Sequence, residues 1–125
     1  GMFRVVNGER GTARVAQLPQ REVAIAGKTG TSQVRRISRA ERVTGVRKNE
    51  EKPWEERDHA LFVGFAPYRA PRYAVAVVVE HGGSGSQAAA PIARDILAKA
   101  LELDPSRARP ELSGDQGSPA PVAPA

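Results

Sequence analysis

Two stretches carry the strongest alternation or density of apolar positions: His59 to Ala66 (HALFVGFA) and Tyr73 to Glu80 (YAVAVVVE). Both are β-branched and aromatic in character, and each has the length of a strand. The connection Pro67-Tyr68-Arg69-Ala70-Pro71 is short, which predicts an antiparallel hairpin. Val75 to Val79 is apolar at every position, a pattern that predicts cover on both faces of the sheet.

After His81-Gly82-Gly83-Ser84-Gly85 the period changes from strand to helix over Gln87 to Leu103, with Ile92, Ile96, Leu97, Ala100 and Leu101 on one face. Ser86 is the expected N-cap, although Pro91 then falls about one turn in, which shifts the regular helix toward Ala90. Upstream, Met2, Phe3, Val5 and Val6 form an apolar cluster that stops at Asn7-Gly8. This reads as the last turn of a helix closed by a left-handed glycine. Val15 to Leu18 is short and apolar and is broken by Pro19. Val23 to Ala26 then leads into GKTGTSQV, a strand of small residues.

Residues 35–58 hold fourteen charged positions, eight basic and six acidic, and read as a long solvated loop insert. From Asp104 to Ala125 the chain is rich in Pro, Ser, Gly and Ala and is expected to be a disordered tail. The fold class is therefore α/β (α+β), an antiparallel sheet covered by helices, with residues 1–103 as the folded unit.

Composition adds bounds. The chain has 125 residues, of which twelve Gly and ten Pro limit the core, so one small domain or part of a larger one is expected. Its formal charge is +5. By segment, residues 1–34, 35–58, 59–103 and 104–125 contribute +3, +2, +1 and −1, and the few aromatics do not interleave with a basic run. Nucleic acid is not the expected partner. The absence of cysteine excludes disulfides, thiolate metal sites and a Cys nucleophile. No apolar run approaches the roughly 20 residues of a membrane span.

Gly27-Lys28-Thr29 matches the end of a phosphate loop, but the required earlier glycine is Glu22, and Gly30 to Val34 reads as extended instead of opening a helix. Ser84 sits in a glycine-rich turn after a strand, yet Ser86 replaces the second glycine of a nucleophile elbow. Asp58 and His59 are adjacent at a strand start, so their side chains point to opposite faces. With only His59 and His81 and no paired acidic cluster, neither a metal nor another cofactor is expected. His59, Trp54 and Tyr68 read as packing or loop residues.

Lys28-Thr29-Gly30-Thr31 has another use. A strand with small residues at Gly27 and Gly30 lets a second backbone approach its edge, so an extended peptide can add as one more strand. Gly11-Thr12-Ala13, VAIAGKTGTSQV, HALFVGFAPYRAPRYAVAVVVEHGGSG and a closing helix with Ala90-Pro91-Ile92 follow in order. Together they resemble the C-terminal part of the transpeptidase domain of class B penicillin-binding proteins, closest to the cell-elongation branch of Gram-negative bacteria. The resemblance covers residues 1 to about 103. It implies the penicillin-recognising serine transpeptidase fold and assigns Lys28 to the lysine beside the active-site serines. It further implies that Thr29 and Thr31 bind the substrate carboxylate, with Gly30 beside them, that the Thr31 N–H is an oxyanion-hole donor, and that Gln33 lines the cleft.

No serine in the chain has a lysine three residues on, and no Ser-x-Asn occurs. The expectation is that nucleophile, lysine and second serine lie upstream, as does a membrane anchor, and that this chain alone is inactive. The resemblance implies peptidoglycan stem peptides and β-lactams as ligands, contact with the upstream part of the enzyme, and a membrane glycosyltransferase and elongation-complex proteins as partners. It places the protein at the periplasmic face of the inner membrane. A β-lactamase or β-lactam sensor of the same fold, or a non-catalytic truncated product, are the alternatives.

Overall fold

The computed structural model describes residues 1–108. Three strands, β1 (Ala26–Ser32), β2 (His59–Ala66) and β3 (Tyr73–Val79), form one antiparallel sheet in the order β1-β2-β3. The register pairs Lys28 with Val63, Thr29 with Phe62 and Ala66 with Tyr73. Both hairpin strands and the glycine-lysine-threonine strand thus lie where their patterns place them. Gln33 and Val34 fall beyond the end of β1. Val15 to Leu18 forms no strand; Arg14–Ala16 is a 3-10 turn that buries Ala13 and Ala16.

Three α-helices are present among the described residues: α1 (Met2–Asn7), α2 (Arg39–Thr44) and α3 (Ala90–Glu102). One core joins Val6 of α1, Ile25, Phe62 of β2 and Leu97 of α3, the largest fully buried side chains. Burying side chains of this size drives the collapse, at roughly 1.5–3 kcal/mol each.

The buried face of α3 differs from the expected one. Ala90, Ala93, Leu97 and Leu101 face the sheet, while Ile92 and Ile96 are 44% and 48% exposed. Small residues win the inner face because the helix start lies very close to the sheet: a Cβ on Gly85 would sit 2.6 Å from the Gly30 carbonyl oxygen and would also strike that of Leu61. A turn of π-helix, Gly85–Ala89, precedes α3. Ser86 does not cap it; its hydroxyl pairs with that of Ser84 at 2.9 Å, and the Ala88 N–H donates to the Ser84 carbonyl. Pro91 falls at the start of α3, where a missing N–H costs nothing.

β3 is covered on one face only among the described residues. Tyr73, Val75, Val77 and Val79 pack on the core, while Ala74, Ala76 and Val78 are exposed. The expectation of cover on both faces is not met, because α3 and Val6 of α1 share the Phe62 side. On the other face Met2, Val63, Phe65, Ala74 and Ala76 line an open apolar hollow of about 480 Å³.

Three further expectations are corrected. α1 does end at Asn7, but Gly8 is extended at φ −78°. A Cβ there would lie 2.6 Å from the Arg4 carbonyl oxygen, so close approach and not left-handed backbone selects glycine. Asn7 Nδ2 closes the helix end by donating to the Phe3 and Ile25 carbonyls at 3.1 and 2.8 Å, tying α1 to the chain entering β1.

Residues 35–58, expected as a solvated loop insert, are largely exposed but carry local structure. They contain α2 and 3-10 turns at Asn49–Glu51 and Trp54–Glu56. A reciprocal capping box, Ser38 with Glu41, starts α2. Arg35 grips Glu41 through both guanidinium nitrogens at 3.0 and 2.6 Å and lies 3.5 Å from Glu56. That guanidinium, with the Ser38 N–H and hydroxyl, holds the Glu41 carboxyl well below the usual carboxylate range. High charge content hid this order because six of the fourteen charged residues, Arg35, Glu41, Arg47, Lys52, Glu56 and Asp58, partner one another inside the insert.

The ordered chain also continues past Leu103. Asp104 is buried, accepts from the Ser106 N–H at 2.9 Å and pairs with Arg72 Nε at 2.7 Å. The rest of the expected tail, 109–125, lies outside the described residues. The Ser106 N–H, then its hydroxyl and Arg72, depress the Asp104 pKa against the opposing effect of burial. A carboxyl depressed in the folded state adds stability that is present above its unfolded pKa and is lost as pH falls through the folded one. Acidification is therefore expected to release the Leu101–Ser106 segment before the sheet. Amide exchange of this segment should accelerate at low pH in the parent and be fast and nearly pH-insensitive, after correction for intrinsic exchange, in Asp104→Asn.

Candidate active-site strand

β1 is an edge strand: β2 occupies one side, and no strand occupies the other among the described residues. Directly paired residues share a face, so Lys28, Gly30 and Ser32 lie on the side of Val63, Leu61 and His59. Thr29 and Thr31 lie on the side of Phe62 and Ala60. An ammonium and two hydroxyls are thereby presented from the two faces of one strand beside an open edge. Lys28 is exposed and its Nζ donates to the Thr29 carbonyl at 2.7 Å. Thr29 is half-buried and Thr31 exposed.

The two glycines of the strand have different reasons. A Cβ on Gly27 would collide with the Phe62 ring and come within 2.9 Å of the Val63 carbonyl, so this glycine serves internal packing. A Cβ on Gly30 would meet only the Leu61 side chain, at 3.4 Å and beyond. Nothing in the described fold strictly requires glycine at 30, which leaves its outward face open to an approaching ligand.

Four expected site residues, Lys28, Thr29, Gly30 and Thr31, are thus brought together on β1. Gln33 is exposed beyond the strand end and is not aligned with them by the ladder. Gly85, which sequence reasoning did not single out, is the floor: it sets the start of α3 against the backbone of Gly30 and Leu61. The Gly-Gly-Ser-Gly run was the signal, but a turn and a close approach look alike in sequence.

The open end of the β1–β2 pair, Ser32 opposite His59, is closed by the insert. The His81 N–H donates to His59 Nδ1 at 2.9 Å, and His81 Nδ1 pairs with the Arg57 carbonyl at 2.9 Å. Carbonyls only accept, so His81 carries its proton on Nδ1. Trp54 packs on the His81 ring at 4.3 Å, and the Gly83 N–H reaches the Asp58 carbonyl. These histidines therefore anchor the loop. Among the described residues no group of three or more His, Cys, Asp or Glu could hold a metal ion.

Comparison with known proteins gives one consistent result. The model of the penicillin binding protein transpeptidase domain matches residues 1–98. Peptidoglycan D,D-transpeptidase MrdA of Haemophilus influenzae is 39% identical over 99 residues, covering 78% of this chain and 14% of that protein. Pseudomonas aeruginosa PBP2, solved in complex with WCK 5153, aligns with a TM-score of 0.58 at 43% identity, over 83% of this chain and 18% of that one. Helicobacter pylori PBP2, solved in complex with MreC, aligns with a TM-score of 0.63 at 30% identity, over 82% of this chain and 16% of that one. The chain thus spans a small part of the length of these relatives.

Proposed function

This chain belongs to the penicillin-binding protein transpeptidase family, and from that premise we propose that it is the substrate-strand portion of a peptidoglycan D,D-transpeptidase of the cell-elongation type. The observation that carries this reading is Lys28-Thr29-Gly30-Thr31 on the open edge of β1, backed by Gly85. An extended stem peptide adds along that edge. The hydroxyls of Thr29 and Thr31 receive its terminal carboxylate, and the Lys28 ammonium supplies positive charge and a proton-transfer partner for the serines. The Thr31 N–H is one oxyanion-hole donor, and Gln33 borders the cleft.

The reaction is acyl transfer. A serine Oγ from outside this chain attacks the penultimate D-alanine carbonyl, and its proton passes to the departing amine of the terminal D-alanine. The ester carbonyl is then attacked by an amine of a neighbouring stem peptide, which loses a proton as the serine regains one. A β-lactam carbonyl meets the same serine and opens its ring. The described part lacks both Ser-x-x-Lys and Ser-x-Asn, so the isolated chain forms no acyl-enzyme.

The relatives' names and the MreC complex of the H. pylori protein support a place in the elongation machinery; the periplasmic membrane face and a membrane glycosyltransferase as co-worker belong to the same proposal. Fluorescent penicillin tests the reading: the full-length protein should label stably and the isolated 125 residues should stay dark. Labelling of the isolated chain would place the nucleophile inside it and overturn the assignment, and rapid loss of label from the full-length protein would make it a β-lactamase.

A further inference from the structure

Counted as one block, residues 35–58 carry little net charge, but the structure divides them. Up to Lys48, six cations face the single anion Glu41, a formal +5 that equals the charge of the whole chain. From Asn49 to Asp58 the balance is −3, two cations against five carboxylates. Two of the five carboxylates in the acidic half are paired, Glu56 with Arg35 and Arg47 and Asp58 with the buried Lys52, while Glu50, Glu51 and Glu55 are exposed. Within α2, Glu41 is likewise spent on Arg35 and the Ser38 cap.

The other face of α2 is free. Arg39, Arg42 and Val43 stand at i, i+3 and i+4 and are all exposed, with Val43 at 86%; Arg36 is exposed just before the helix. Among the described residues, Arg36, Arg39 and Arg42 make no ion pair. Arg36 lies five residues past Thr31, no more than about 18 Å away along the chain. Arg35, three residues past the end of β1, pairs with Glu41 of α2 and with Glu56, linking the helix to the segment that leads into β2. A cationic face therefore follows the C-terminal end of the proposed substrate strand within a few residues.

We propose that Arg36, Arg39 and Arg42 form a docking surface for the polyanionic peptidoglycan strand, separate from the strand-addition site and recognising the carboxylates of stem peptides beyond the one being processed. This rests on the transpeptidase reading above. Planar guanidinium groups suit carboxylates, and repeated carboxylates on one polymer let weak exposed contacts add. The surface raises the local concentration of polymer at β1 without touching the reacting bond.

The test uses the full-length protein, purified sacculi and fluorescent penicillin. Arg36→Glu/Arg39→Glu/Arg42→Glu is expected to weaken co-sedimentation with sacculi by about tenfold, as three exposed charge contacts of ordinary strength combine. It should flatten the salt dependence of binding while leaving the penicillin-labelling rate unchanged. Replacing the same three arginines by lysine should retain most of the binding, and amidating the sacculus carboxylates should abolish the difference between parent and reversal variant. Unchanged sacculus binding with normal labelling would overturn this surface and leave the transpeptidase reading intact. Absence of labelling in the parent would overturn both. Loss of binding to phosphatidylglycerol vesicles with sacculus binding unaffected would overturn the proposal in favour of a membrane surface.

Discussion

Lys28→Ala in the full-length protein is expected to slow acylation by fluorescent penicillin about 10²- to 10³-fold while leaving the fold intact. The side chain is exposed, and its one recorded hydrogen bond runs to the neighbouring Thr29 carbonyl, which water can satisfy instead. Stability should change by less than about 0.5 kcal/mol, the range of ordinary surface substitutions. What disappears is the cationic donor on the face that Lys28 shares with Gly30 and Ser32. Comparing labelling rates with thermal melting separates the two effects. A labelling rate equal to the parent's would remove Lys28 from the proposed site, and a fall in melting temperature matching the lost rate would make its role structural.

Gly85→Ala acts in the opposite sense, through the fold. Its Cβ would be driven against the carbonyl oxygens of Gly30 and Leu61, and backbone atoms of a paired ladder cannot rotate away as a side chain can. The start of α3 must lift from the sheet, loosening Ala89, Ala90 and Ala93, all buried in the core. A loss of about 3 kcal/mol is expected, at the upper end for overpacking by one methyl group. Urea denaturation should show it, with exposed Gln87→Ala in the same turn near neutral as the control. Gly30 is the residue displaced, so labelling by penicillin should fall as well. A Gly85→Ala protein as stable as its parent would mean that this close approach carries no stability.

How much of this was legible varies by element. The hairpin was, because HALFVGFA and YAVAVVVE have strand composition and a connection too short for anything but an antiparallel return. β1 was legible for a different reason: Lys-Thr-Gly-Thr is a chemical pattern as well as a strand. The buried face of α3 was misjudged because apolar count ranks Ile92 and Ile96 above Ala90 and Ala93, whereas close approach at Gly85 rewards small residues. The local structure of the insert was missed because a segment that pairs some of its charges internally has the same composition as one that leaves them all in water.

Local pattern determined the strands and the position of the final helix, since these depend on neighbours in the chain, and the family resemblance supplied Lys28 to Thr31 as the candidate site. The tertiary structure decided that β1 is an edge, that Gly30 lies over Gly85, and that the cations of the insert divide into paired and free. Each of those depends on which residues far apart in sequence come within a few ångströms, and periodicity along the chain carries no information about that distance.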